Sequence, residues 1–242
     1  MAAEHWGMGF NKRKLEDQRR QAAQKEAANR AGLIEAKGMT NHPGFFEGTG
    51  MPDPGWWEAL WPDPADVLTK VGLKSDMDVI DLCAGDGWFT LQIAKIAGHV
   101  TAIDIDEKLL QTTRTRLADA KQSNCTYVEG NAYDIATLID RQVDFVFLAN
   151  AFHGVPDKLR LAKAIESVLK PGALLVIVNW HVLRREQTTV LGEPRGPATA
   201  LRIGPEAVEL AVRQSQLRSV RTVEIPPYHY ASIFQKGPVS TN

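Results

Sequence analysis

The 242-residue sequence predicts an α/β fold, a doubly wound and mostly parallel sheet. Three observations predict it. From residue 77 onward, short apolar runs alternate with stretches of helical periodicity. The runs are nearly continuous in apolar residues, as in strands covered by helices on both faces. The last two runs follow each other with only a short Pro-marked connection between them, which predicts an antiparallel hairpin at one edge of the sheet.

Taken in order, MDVIDLC (77–83) reads as a strand and GWFTLQIAKIAG (87–98) as a helix. HVTAIDI (99–105) is the second strand, and DEKLLQTTRTRLADAKQ (106–122) carries apolar residues at helical spacing. CTYVEG (125–130) and VDFVFLAN (143–150) are the third and fourth strands. DKLRLAKAIESVLKPG (157–172) is a helix closed by Pro-Gly, and ALLVIVNW (173–180) is the fifth strand. GPEAVELAVRQSQL (204–217) is a further helix, before RSVRTVEI (218–225) and ASIFQK (231–236) complete seven strands.

The N-terminal third is different. Residues 12–37 are rich in Ala, Gln and charge and predict a solvated or loosely docked helix. The following stretch, GMTNHPGFFEGTGMPDPGWWEALWPDP, is dense in turn-formers but holds Trp56, Trp57 and Trp61, which need burial. A structured aromatic cap is expected, with a division into a cap of residues 1–60 and a main domain of 61–242.

Composition narrows the function. With 44% apolar and 24% charged residues and a formal net charge of -1, no overall field draws the chain to nucleic acid or anionic lipid. Cys83 and Cys125 offer neither a disulfide framework nor metal-ligand spacing, so no metal is expected. No apolar h-region opens the chain and no run nears the roughly 18 residues of a membrane span, so a cytoplasmic placement is expected.

In an open parallel sheet, ligands bind beyond the carboxyl ends of the strands, where strand order reverses. The first strand-to-helix turn reads Asp81-Leu82-Cys83-Ala84-Gly85-Asp86-Gly87, and Asp104 ends the second strand, where a carboxylate can accept from ribose hydroxyls. That pairing predicts a nucleoside cofactor. A dinucleotide fingerprint lacks its third glycine, since Trp88, Phe89 and Thr90 follow Gly87, and a phosphate-binding loop lacks its lysine. The acid that leads the turn, Asp81, would repel a pyrophosphate but suits a ligand carrying an ammonium and a sulfonium.

On these residues the chain resembles the class I S-adenosylmethionine-dependent methyltransferases over about residues 60–236, with a Rossmann-like sheet whose last strand inserts antiparallel. The resemblance implies S-adenosylmethionine as cofactor, held by Asp81, Cys83, Ala84, Gly85 and Gly87 of the first turn. It implies Asp104 as ribose ligand and Ile105 beside the adenine in "VTAIDID". In "VEGNAYDI" it implies Asn131 on the adenine amino group and Ala132 lining the slot. Asn150, in "VDFVFLANAFHGVPD", is implied at both the cofactor and the reacting centre. "LKPGALLVIV" looks like the family's turn before the fifth strand. Two positions depart from the pattern: Cys83 stands where the family has its first glycine, and Ala173 replaces the second glycine of the later turn. The fourth and fifth strands look most like the branch that includes ubiquinone and menaquinone biosynthesis methyltransferases, which implies a small-molecule acceptor.

Methyl transfer needs alignment and, for a protic acceptor, a base. His153 and His181 lie after the fourth and fifth strands and are the candidates; each has a rival role as a histidine that pins its loop. His5, His42 and His99 have no such placement. Alternation puts Tyr228 and Tyr230 on one face and His229 on the other, for core packing. Arg184, Arg185, Arg195 and Arg202 lie in a long loop after the fifth strand and are candidates for clamping a carboxylate or phosphate. The Pro-Pro-Tyr of "IPPYHY" lies too late in the chain to be the amino-methylating motif it evokes. Rival functions are a protein or RNA methyltransferase that uses the N-terminal helix as a docking arm, and a cofactor-binding regulator without catalysis.

Overall fold

The computed structural model describes residues 46–52 and 55–238. The predicted helix over residues 12–37, together with His5 and His42, lies outside the described residues. Two short helices lead into the sheet, α1 (Trp56–Leu60) and α2 (Pro64–Lys70). α2 starts where Asp63 accepts a hydrogen bond from the Asp66 N–H and Pro64 supplies a pre-set first turn.

Strands β1 (Asp78–Leu82), β2 (His99–Asp104), β3 (Cys125–Glu129), β4 (Val143–Ala149) and β5 (Leu169–Trp180) alternate with helices α3 (Trp88–Ala94), α4 (Glu107–Asp119), α5 (Ile135–Leu138) and α6 (Lys158–Val168). A two-residue pair, β6 (Thr189–Val190) with β7 (Glu193–Pro194), folds the arginine-bearing loop back on itself. Helix α7 (Pro205–Val212) precedes β8 (Leu217–Ile225) and β9 (His229–Lys236). The seven-stranded sheet runs β3-β2-β1-β4-β5-β9-β8. Its first five strands are parallel, and β9 is antiparallel to both β5 and β8.

Two apolar layers sandwich the sheet. On one face α5, α6 and α7 pack over Ile80, Leu148, Leu175 and Ile177. On the other, α1 to α4 pack over Val79, Phe145, Phe147 and Val178, and Trp56, Leu60 and Trp61 are buried in that same layer.

Three predicted details are corrected. The helix expected through residue 172 stops at Val168, because Leu169 already pairs with Val143 and the Lys-Pro-Gly turn is drawn into the start of β5. The helix expected over 204–217 ends at Val212. Tyr228 does not share a face with Tyr230. It precedes the first strand residue, His229, so alternation does not reach it, and its ring stacks on Trp180 in the opposite layer from Tyr230.

Candidate functional site

The carboxyl ends of β1, β2, β4 and β5 bring the predicted residues to one rim, and the order reverses between β1 and β4. The turn after β1 is held in a left-handed course: Cys83, Gly85 and Gly87 all have positive φ, near 60°, 58° and 78°. Cys83 is the costly member, since an L side chain in that region is strained and the family's glycine would not be. Burial raises the Cys83 thiol well above its ordinary pKa, with Asp104 and Asp81 adding to the effect, so it is a neutral, unreactive group.

The turn is pinned from two sides. Asp104 accepts hydrogen bonds from the Gly85 N–H at 2.7 Å and the Asp106 N–H at 3.0 Å. Thr113 of α4 donates to the Gly85 carbonyl at 3.0 Å, and its side chain fills the space that a Cβ on Gly87 would need. Arg116 grips Asp86 at 2.6 Å. A carboxylate has about four lone-pair sites, so Asp104 retains acceptor capacity beyond its two amides.

Asp81 is 3% exposed and takes a 2.6 Å hydrogen bond from Thr90. Its pKa is raised to about 7, chiefly by burial, against the Thr90 hydrogen bond and with help from Asp104 and Asp86. Asp104 is raised too, first by burial, with its amide bonds opposing. At the end of β2, Ile105 is half-buried. Asn131 accepts from the Tyr133 N–H at 3.0 Å, capping a 3-10 turn in which Ala132 is buried. Asn150 has φ 57°, and its Oδ1 is buried without a partner.

The two candidate histidines part company. His153 is 6% exposed, and its Nε2 lies 3.2 Å from the Gly48 carbonyl, so the neutral ring donates there and keeps its lone pair at Nδ1. Nδ1 is buried without a partner. Burial lowers the pKa of His153, with the Gly48 carbonyl and the nearby Asn179 opposing and Lys158 and Arg202 contributing. His181 is turned toward the edge strand, where Nε2 meets Glu224 at 2.8 Å. His99 lies at the opposite end of the sheet, between Asp78 and Thr126.

Several contributors were not anticipated. Residues 46–51 cross the rim as a strap: Phe46 packs edge-on against Tyr133, Glu47 abuts Gly154, Gly48 receives His153, and the Met51 thioether rests on Gly85. Asn179, the penultimate residue of β5, is 1% exposed, and both atoms of its amide group lack partners. It lies beside the His153 ring and the Tyr230 hydroxyl and makes no hydrogen bond of good geometry with either. An amide interrupting the apolar run VIVNW was the available sequence signal, because buried polar side chains are the informative exceptions. Among the described residues no cluster of His, Cys, Asp and Glu could hold a metal ion.

Known proteins share the domain and the fold. Residues 80–177 match the methyltransferase domain family. Demethylmenaquinone methyltransferase of Staphylococcus aureus (strain MRSA252) is 31% identical over 116 residues, 47% of each chain. That of Listeria monocytogenes serotype 4a is 29% identical over 117 residues, 47% of this chain and 49% of its own. The chain thus spans about half the length of these curated relatives. A SAM-dependent methyltransferase from Aquifex aeolicus superposes with a TM-score of 0.64 at 25% identity, covering 76% of this chain and 93% of its own. The N-methyltransferase NodS of Bradyrhizobium japonicum WM9, in complex with S-adenosyl-l-homocysteine, shares the fold at 15% identity and a TM-score of 0.56, over 72% of this chain and 86% of its own. Residues 80–177 thus form a methyltransferase domain, and the sheet has the Rossmann-like fold of the class I S-adenosylmethionine-dependent methyltransferases.

Proposed function

We propose that the protein transfers a methyl group from S-adenosylmethionine to a small-molecule acceptor, with His153 as the base. The observation that carries this reading is the His153 ring, fixed by the Gly48 carbonyl so that a buried lone pair at Nδ1 faces the interior beyond β4. The residues at the rim fit the cofactor. Asp81 would sit beside the ammonium, Asp104 would accept from the ribose, Ile105, Asn131 and Ala132 would frame the adenine, and Cys83 to Gly87 would offer backbone. Asn150, with an unpartnered buried oxygen, would meet the cofactor near the reacting centre.

When bound, S-adenosylmethionine supplies a methyl group on a sulfonium, open to in-line attack. The chain's own work is alignment and proton handling. His153 accepts the acceptor's proton at Nδ1, and its lowered pKa keeps that atom unprotonated at neutral pH. The strap, through Gly48, covers the His153 ring. A small acceptor is supported by the demethylmenaquinone methyltransferases among the relatives; the proposed acceptor is a planar molecule with an ionisable hydroxyl. His181 is the less well placed candidate, because Glu224 holds it at the sheet edge.

Calorimetry with S-adenosylhomocysteine tests the cofactor half. Asp104→Ala removes the carboxylate that accepts from two backbone amides and the proposed ribose partner, and should weaken binding by roughly ten- to a hundred-fold; unchanged affinity would mean the site lies elsewhere. Incubating the protein with labelled cofactor and size-fractionated cell extract tests the acceptor half. Label in the small-molecule fraction is expected, to be abolished by His153→Ala and kept by His181→Ala; label only in protein or RNA would overturn the reading.

A further inference from the structure

Of the four arginines in the loop after β5, Arg184 and Arg185 are exposed and Arg195 is half-buried, whereas Arg202 is 5% exposed. Its Nε donates to the Pro197 carbonyl at 3.2 Å. Its Nη2 donates to Thr188 Oγ1 at 2.8 Å and to the Arg195 carbonyl at 3.0 Å. The third nitrogen, Nη1, is buried with no partner. Among the described residues no carboxylate comes within 4.0 Å of this guanidinium. A buried cation that is neither paired nor fully hydrogen-bonded is costly, and folded proteins seldom keep one without a use for it. Three neutral acceptors orient the group, and Glu186, whose charge is felt there, makes no ion pair with it.

The surroundings say what that charge faces. The guanidinium carbon lies 5.1 Å from the centre of the Trp180 ring. Pro197 and Leu201 of the same loop crowd Gly48, the residue that fixes His153. The Arg202 charge is felt at His153 and lowers its pKa. Asn179, next to Trp180, adds two unpartnered amide atoms. At the end of β5 the Arg202 guanidinium thus lies over the Trp180 ring, while Asn179, on the opposite face of the strand, lies beside His153.

We propose that Arg202 is the anion-recognising residue of the acceptor site, and that the acceptor is a planar molecule bearing an oxyanion, seated against Trp180 with its charged oxygen on Nη1. This rests on the methyltransferase reading for its biological meaning, but binding can be read without turnover. A guanidinium favours a carboxylate or ionised enol over an uncharged isostere by a charge-assisted hydrogen bond.

The test uses the full chain with 1-hydroxy-2-naphthoate and its methyl ester, which share ring and hydroxyl and differ in charge. Quenching of tryptophan fluorescence reports binding, in the presence of S-adenosylhomocysteine and in its absence. The wild-type protein should bind the acid at least about ten-fold more tightly than the ester. Arg202→Met, which keeps the apolar stem, should bind both alike, and Arg202→Lys should retain part of the preference. Equal binding of acid and ester by the wild type, no binding of the acid, or a preference undiminished in Arg202→Met would each overturn the proposal. If Arg202→Met does not fold, as judged by circular dichroism, the wild-type comparison and Arg202→Lys still decide. Loss of S-adenosylhomocysteine binding alone would count against the methyltransferase reading and leave the anion site standing.

Discussion

Burial raises the pKa of Asp81 to about 7 against the one hydrogen bond it takes from Thr90, and two consequences follow at the scale of this residue. The unfolded chain ionises near 3.9, so below about pH 4 both states hold the proton and the stabilising effect is fully present. As pH rises towards 7 the unfolded chain loses its proton first, and stability falls, by up to roughly 4 kcal/mol from this group. Asp81→Asn should remove that decline, measured as melting temperature against pH on the cofactor-free protein. With the cofactor ammonium placed beside it, Asp81 should ionise on binding. Affinity for S-adenosylhomocysteine should then rise with pH up to about 7 and level off above it, and Asp81→Asn should flatten the rise; a flat wild-type profile would separate Asp81 from the ammonium. That Asp81, Asp104 and the glycines come to one rim of the sheet was legible from order and spacing along the chain. Asn179 and the burial of Arg202 were not, because whether a polar side chain is sealed from water depends on what packs over it.

Among the elements, the strap of residues 46–51 has the least local identity and the widest reach. It has no regular secondary structure, yet it touches three loops of the rim. Its approach to the loop after β4 requires glycine at 154, where a Cβ would collide with the backbone of Glu47. Gly154→Ala should therefore lift the strap and break the His153 contact with Gly48. Hydrogen exchange at residues 48–51 should speed up by about ten-fold or more, roughly 1–2 kcal/mol of lost local protection, while the core strands stay protected. Unchanged exchange would mean that the strap is held by other contacts. The same reasoning explains the misread helix end. Pro-Gly is a helix stop, but Leu169 leaves the helix earlier to pair with Val143, a gain that only the neighbouring strand supplies.

For the whole molecule, the sheet depends on its last strand. β9 pairs on both sides, and its residues from His229 to Phe234 are all buried. Removing residues 226–242 should strip β5 and β8 of their partner and leave no cooperative unfolding transition by circular dichroism; a folded truncated protein would refute the dependence. On the opposite layer, Trp61 joins Phe89, Trp88 and His229 at centroid distances of 5.1, 6.1 and 4.5 Å. Trp61→Ala should cost about 3–5 kcal/mol in denaturant unfolding.

The sequence by itself determined the order of strands and helices, the doubly wound class, the antiparallel ending and the turn that resembles a sulfonium-cofactor site. Each of these is written in local terms, as apolar runs, caps and small residues at fixed spacing. Tertiary structure decided which of two histidines is buried with a free lone pair, which of four arginines loses its water, and that a strap from outside the sheet closes over that histidine. Burial and pairing are properties of neighbours far apart in the chain, so they enter only when the sheet and its loops come together.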